Sequence, residues 1–272
     1  MLKDFFISLK YPLLQALVGG IITWLLTLIG ATFIFFNKKP SKSLFSFMLS
    51  SAGGIMLAAS FWSLLLPAKE YSIENNLSPW ITLTSGFILG TLFLFILDKI
   101  IPHKHLEENG EIEGIKTNLK KTWLFVFAVI LHNIPEGLAV GVAFGTLANN
   151  VNDPKLLLSA ISLTIGIGLQ NIPEGLAIAL PLYANGFSKK KSFFFGQISA
   201  IVEPISAIFG ALFVTIFTNL LPYAMSFAAG AMIYIIVEDV IPEFQENKTN
   251  DIAIIFFIIG FLIMTILDIS LR

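Results

Sequence analysis

Residues 131–145 read LHNIPEGLAVGVAFG, and residues 169–183 read LQNIPEGLAIALPLY. Eight of the first nine positions are identical at an offset of 38, and the matches include Asn, Pro and Glu as well as the Leu and Ala that apolar helices share by chance. Each copy sits inside an apolar run long enough to cross a bilayer, which takes about 20 residues because the hydrocarbon core is about 30 Å thick and each helical residue rises about 1.5 Å. Consecutive spans run antiparallel, so two copies near mid-span face each other at similar depth.

Working outward from this pair, eight stretches qualify as spans: roughly 11–36, 44–66, 79–101, 122–145, 156–183, 192–219, 222–241 and 251–270. The connectors carry the turn and charge signals, as in NKKPSKS (37–43), NNVNDPK (149–155) and ANGFSKKK (184–191). The fold class expected is all-α: a polytopic membrane protein in which residues 1–272 form one transmembrane domain of eight helices. Residues 102–121 are expected to form a cytosolic loop. The first span is read as a helix and not as a signal peptide, because its apolar run exceeds the 7 to 15 residues of an h-region and no small-residue cleavage site follows.

Composition agrees. Of 272 residues, 56% are hydrophobic and only 13% charged, against about 25% charged in soluble domains, which argues against a water-soluble enzyme. There is no Cys, so disulfides, thiolate nucleophiles and iron–sulfur ligation are excluded, and any metal must be held by N and O ligands. Net charge is −1 with the basic residues dispersed, leaving no footprint for nucleic acid. Neither GxxxxGK[ST] nor GxGxxG occurs, so no ATPase within this chain powers transport. Twelve Lys fall in the loops after spans 1, 3, 5 and 7, whereas Lys3, Lys10, Lys69, Lys155 and Arg272 lie on the other side. The positive-inside rule then places both termini outside. Helices, as opposed to barrel strands, point to the inner membrane.

Glu136 and Glu174 lie within spans 4 and 5. An ionisable side chain at the centre of a spanning helix costs at least about 2.5 to 3.5 kcal/mol, and two facing carboxylates raise that cost unless one is protonated or a cation intervenes. No Lys or Arg inside spans 4 to 6 supplies the cation; a bound divalent metal does. His132 and Glu136 are i, i+4 and Asn133 and Glu136 are i, i+3, so Glu136 lies between two polar stripes and can bridge two metals. Gln170, Asn171 and Glu174 repeat the arrangement. Imidazole, amide oxygens and carboxylates suit Zn, Fe(II), Mn or Cd. Pro135 and Pro173 displace the carbonyls of Leu131 and Leu169, which at membrane depth marks a lined pathway. The alternative is that two proline-kinked helices simply pack together with Glu protonated. Glu203, in IVEPIS of span 6, reads as a further ligand, a balancing charge, or a protonated group bonded to a helix carbonyl.

Small residues mark helix approaches: Gly137, Gly141 and Gly145 on span 4, and Gly86 with Gly90 on span 3. On span 2, Gly53, Gly54, Met56, Ala58, Ala59 and Ser60 form a smooth surface on which a neighbouring bundle can slide, with Met56 and Ser60 on one face toward a pathway or a packed core. Asp98, His103 and His105 near the inner end of span 3, with Glu238 and Asp239 of VEDVIPE at the inner end of span 7, form a second, more hydrated candidate site at an exit. Interfacial charges at helix ends are its ordinary explanation. The four Glu between 107 and 113 read as a solvated loop.

With HNIPEG on the fourth span and QNIPEG on the fifth, the chain resembles the ZIP metal transporters, in the bacterial branch carrying HNxPEG and Q-[DN]-x-P-E-G. The likeness extends to GGIMLAASFWSLLLPA in span 2, DKIIPHKH after span 3, VEP in span 6 and FAAGAMIYIIVEDVIPE in span 7. The resemblance implies eight helices with both termini outside, and a two-metal centre halfway across the membrane. By matching position, His132, Glu136, Gln170 and Glu174 are implied to hold one metal, and Asn133, Glu136, Asn171, Glu174 and Glu203 the other, with Glu136 and Glu174 bridging. A cytosolic-end site is implied at Asp98, His103, His105, Glu238 and Asp239. Many members have His where this chain has Gln170, and some have Asp at Asn171; fewer imidazoles and carboxylates predict weaker or broader metal binding. The histidine-rich loop of many eukaryotic members is reduced to His103 and His105.

The function expected is therefore import of a divalent transition metal, Zn foremost with Cd, Mn and Fe as further cargo, without ATP and without a resident cofactor. The resemblance implies an elevator-like movement of spans 1, 4, 5 and 6. Partners are the metal ions and the lipid bilayer, and a homodimer is compatible with the sequence. A membrane-embedded metal-dependent hydrolase is disfavoured because Asn133 occupies the general-base position of HExxH and the core holds a single His. Two further functions compete with carrier-type import: a passive metal channel, and a proton-coupled cation exchanger, since buried carboxylates also relay protons.

Overall fold

The computed structural model describes residues 2–36, 42–100, 121–148, 153–184, 186–242 and 250–271, with side chains for all of these except 42–46, 121–129, 181, 184, 239, 250 and 271. Among the described residues every regular element is a helix. In chain order these are α1 (Leu2–Ser8), α2 (Pro12–Thr32), α3 (Lys42–Ala59), α4 (Leu66–Glu74), α5 (Pro79–Ile100), α6 (Lys121–Gly145), α7 (Pro154–Ala184), α8 (Lys189–Ile198), α9 (Val202–Ile216), α10 (Leu221–Ile235) and α11 (Asn250–Leu271). Among the described residues, seven helical segments are long and apolar enough to cross a membrane: Pro12–Phe35, Phe47–Glu74, Pro79–Ile100, Pro154–Leu180, Lys189–Ile216, Thr218–Glu238 and Asp251–Ser270. They correspond to seven of the eight expected spans, and the stretch expected as the fourth is the helix α6. The chain is an all-α polytopic membrane protein. The expected loop at 102–121 lies outside the described residues, apart from Lys121 at the start of α6.

Prolines dictate where the long helices depart from α geometry. Two π segments, Ser60–Leu65 between α3 and α4 and Ile236–Val240 after α10, each end two residues before a proline, Pro67 and Pro242. A proline has no N–H to give and its ring displaces the carbonyl four residues back, so the preceding turn widens: the Leu66 N–H bonds the Phe61 carbonyl and the Ile241 N–H bonds that of Ile236. Because the chain absorbs Pro67 in this way, the second span runs on to Glu74 and does not end near residue 66. Pro204 acts in the opposite sense, the turn before it tightening into a 3-10 segment, Ser199–Ile201, between α8 and α9. Pro135 and Pro173 lie inside α6 and α7 without ending either helix.

Small residues sort the helices into two groups. In lipid, helices gain little from burying apolar surface, so close backbone approach supplies the packing energy. α2 and α7 run parallel, with Gly30 against the Ile172 carbonyl and Gly175 against that of Thr27; α6 and α9 run parallel, with Gly137 and Gly141 against the backbone of Glu203 and Ala207. Gly20 of α2 meets Pro204 of α9. These contacts tie α2, α6, α7, α8 and α9 together. In the second group α5 and α10 are parallel, with Gly90 against Phe227 and Gly230 against Phe87, and α3 and α11 are parallel, with Gly54 against Phe257 and Gly260 against Ser51. Between the groups α7 packs on α3 and α11, and α6 on α10. Among the described glycines only Gly166 faces across that boundary, and it meets the flexible side chain of Met264.

This corrects the expectation for span 2. Gly53 and Gly54 face Val240 and Phe257 inside their own group and fix α3 to α11, so they are not part of a sliding surface. Met56, Ala58, Ala59 and Ser60 are buried, and Met56, Ala58 and Ala59 belong to the main apolar cluster.

Candidate metal centre

The two NIPEG copies meet inside the first group. On α6, Asn133 and Glu136 are buried and His132 is half-buried; on α7, Gln170 and Asn171 are buried and Glu174 is half-buried with its Oε1 buried. Gln170 Nε2 donates to Glu136 Oε1 at 2.5 Å, so the helix faces inferred from spacing do confront each other. His132 and Glu174 are electrostatic neighbours, and Glu136, Glu174 and Glu203 interact with one another in the same way.

Glu203 lies in the first turn of α9, fully buried. Asn171 Nδ2 donates to both of its carboxylate oxygens, at 3.0 and 2.9 Å, and also approaches the Thr23 carbonyl at 3.4 Å. Thr27 Oγ1 reaches Glu203 Oε1 at 3.5 Å. Thr23 and Thr27 of α2 were not among the residues read from sequence. Their signal was available: with Gly20, Gly30 and Ala31 they form a stripe of small and hydroxyl residues along an otherwise apolar span, and all are buried.

Six buried polar atoms of this cluster have no hydrogen-bond partner: Asn133 Nδ2 and Oδ1, Glu136 Oε2, Gln170 Oε1, Asn171 Oδ1 and Glu174 Oε1. Each unpaired buried polar atom costs about 1 to 3 kcal/mol, so together they rival the whole stability of a typical domain, about 5 to 15 kcal/mol. Five of the six are oxygens, the donor type that a hard or borderline divalent cation takes. Among the described residues no three of His, Asp and Glu gather closely enough to hold a metal by themselves. The amide oxygens of Asn133, Gln170 and Asn171 are among the unpaired atoms and extend the donor set beyond carboxylate and imidazole.

The second candidate site is only partly described. Asp98, near the end of α5, is buried and pairs with Lys99 Nζ at 3.6 Å. The parallel register of α5 and α10, carried on two turns from Gly90 and Phe227, brings Asp98 level with the π segment that holds Glu238 and Asp239. Glu238 is half-buried. His103 and His105 lie outside the described residues, as does the side chain of Asp239.

Comparison with known proteins identifies the family. Residues 103–268, which contain both NIPEG copies and Glu203, match the family described as ZIP Zinc transporter. The chain is 33% identical to Zinc transporter ZIP11 of Bos taurus, over 96% of this chain and 98% of that protein. It is 34% identical to Zinc transporter ZIPB of Bordetella bronchiseptica, over 94% of this chain and 81% of that one, and 38% identical to Zinc transporter GufA of Myxococcus xanthus, over 77% and 80%. A match over more than half the chain, joined to relatives more than 30% identical over most of it, shows the family: the chain belongs to the ZIP zinc transporters, a family of transporters and not of enzymes.

Proposed function

We propose that this protein imports a divalent transition-metal ion, Zn(II) foremost and Cd, Mn or Fe(II) less selectively, across the cell membrane into the cytoplasm without ATP. The observation that carries the reading is the set of six unpaired buried polar atoms, five on the two NIPEG copies and one on Gln170 just before the second. Glu136 and Glu174 supply the negative charge. His132 and Gln170 flank one ion position beside them, and Asn133 and Asn171 the other, with Glu203 closing the side toward α2 and α9. The ion sheds water on entering, exchanging it for carboxylate, imidazole and amide ligands.

Movement follows from the two groups. Backbone contacts at glycine hold α2, α6, α7, α8 and α9 as one body and pair α5 with α10 and α3 with α11, whereas Gly166, which faces α3 and α11 from α7, meets side chains. Alternating access is then a shift of the first body, carrying the centre, against the second. Both termini outside, the cell membrane as location and a hydrated exit near Asp98 and Glu238 complete the proposal.

The test is metal uptake by proteoliposomes containing wild type, Glu136→Ala or Glu174→Ala. Loss of saturable uptake of Zn in both variants is expected, and unchanged uptake of Zn, Cd, Mn and Fe in both overturns the reading. Uptake by wild type that rises without saturation favours a channel instead.

A further inference from the structure

The start of α8 carries Lys189, Lys190 and Lys191, the longest run of basic residues in the chain. Nothing beside it in the sequence offsets the charge. This end of the first body is built from the ends of α2 and α7 and the start of α8, and neither residues 5–69 nor residues 175–202 contain an Asp or a Glu. Lys189 is turned to the protein, its Nζ 3.5 Å from the Phe35 carbonyl and 5.8 Å from the centre of the Tyr183 ring. Lys190 and Lys191 are exposed, and among the described residues neither has an ion-pair partner. The helix end itself is capped, with Ser188 Oγ accepting from the Lys191 N–H at 3.4 Å. What is unmet is the side-chain charge.

Beneath the charges lies aromatic surface. α8 opens the span Lys189–Ile216, so each turn along it goes deeper into the bilayer. Lys190 and Phe194, and likewise Lys191 and Phe195, are i, i+4 and stand one above the other. Phe194 is exposed, and Phe195 is half-buried against Phe187, with ring centroids 6.1 Å apart. Phe35, exposed, packs on Phe193 at 5.4 Å, and the exposed Phe36 follows it. A pair of unmet cations over apolar rings matches a molecule with an anionic head and apolar tails. A soluble anion would use the lysines and leave the rings without a role.

We propose that Lys190 and Lys191, with Phe194 beneath them, form a binding surface for an anionic phospholipid. Its phosphate meets the two ammonium groups, and an acyl chain runs down along Phe194. Each lysine near an anionic leaflet strengthens such binding by about fivefold, and aromatic rings at headgroup depth are the usual companions of such lysines. Since α8 packs on α7, which carries the second NIPEG copy, the lipid is held by the body that contains the centre.

The experiment titrates delipidated full-length protein in a neutral detergent with dioleoyl phosphatidylglycerol or dioleoyl phosphatidylcholine and counts bound lipid by native mass spectrometry. Wild type is expected to prefer phosphatidylglycerol, and the double variant Lys190→Gln, Lys191→Gln to lose about 25-fold of that preference, about fivefold for each lysine. Lys155→Gln, at the opposite end of α7, is expected to retain it. Equal binding of the two lipids by wild type, or an undiminished preference in the double variant, overturns the proposal. So does an equal loss in Lys155→Gln, which would make the preference a matter of net charge. Displacement of the lipid by millimolar glycerol phosphate would reveal a site for phosphate alone and overturn the choice of a lipid. If the double variant does not fold, salt decides on wild type: exposed charges are screened, so a preference that does not fall as salt is raised overturns the proposal as well.

Discussion

Gln170 on α7 donates to Glu136 on α6 and so joins the two NIPEG copies side chain to side chain. The bond uses the amide nitrogen and leaves the amide oxygen unpaired. An amide oxygen is a harder, weaker donor to Zn than imidazole. Gln170→His is therefore expected to tighten Zn binding about tenfold, about 1.4 kcal/mol, while leaving Mn binding nearly unchanged. Competition of Mn against Zn in uptake assays checks this, and equal gains for both metals would count against Gln170 as a selectivity determinant.

The glycine seams predict a split between stability and movement. A methyl group at Gly30 or Gly230 runs into the backbone carbonyl of Ile172 or Phe87, inside one body. Overpacking of that kind costs about 1 to 3 kcal/mol, so Gly30→Ala and Gly230→Ala are expected to unfold at lower temperature in detergent. At Gly166 the added methyl meets the Met264 side chain across the boundary, which can move aside. Gly166→Ala is expected to keep its unfolding temperature and to slow uptake. If all three variants lose stability alike, the boundary is not a place of movement.

Much of this was legible in the sequence, for identifiable reasons. The repeated NIPEG stretch pointed to the buried polar cluster because Asn, Pro and Glu are too costly in apolar helices to recur by accident, and helix spacing placed His132, Asn133 and Glu136 on adjoining faces. What spacing does not carry is the identity of the partner. Gly53 and Gly54 announce a close helix but not that it is α11, more than 190 residues away. The short α1 was not anticipated either. It is held by tertiary contacts, with Phe6 stacked on Phe144 at 5.0 Å and its carbonyl accepting from Gln15 Nε2, and not by a periodic pattern of its own.

The π segment at Ser60–Leu65 turns two consecutive side chains toward α11: Trp62 Nε1 donates to Thr265 Oγ1 at 3.0 Å, and Ser63 Oγ to Asp268 Oδ1 at 2.7 Å. Asp268 is buried, so removing one of its partners is expensive. Ser63→Ala is expected to cost about 1 to 3 kcal/mol, measured as a lowered unfolding midpoint. Asp268→Asn, which keeps an oxygen to accept from Ser63, is expected to lose less. A neutral Ser63→Ala would show that this pair does not hold α3 to α11.

Metal affinity should depend on pH with a definite sign. Ligation needs ionised carboxylates at Glu136 and Glu174 and a neutral imidazole at His132, so protons compete with the ion for all three. Affinity is highest where these groups have lost their protons and falls as the solution is made more acid, by up to about tenfold per pH unit for each proton displaced. Zinc dissociation constants measured from about pH 7.5 to about pH 5.5 are expected to rise, less steeply in His132→Asn. A flat profile would exclude proton-competing ligands from the centre.

Orientation can be read chemically because the native chain has no Cys. The positive-inside rule predicts the end of α11 outside and the start of α8 inside. Ser270 lies in the last turn of α11 and Lys190 at the start of α8, and both are exposed. A membrane-impermeant maleimide is expected to label Ser270→Cys in intact cells and Lys190→Cys only after permeabilisation. The same parity predicts Asp98 and the π segment with Glu238 at the cytoplasmic end, on the side where Lys190→Cys is expected to be protected in intact cells. The reverse pattern would invert the direction of import with it, turning the Asp98 end from an exit into an entrance.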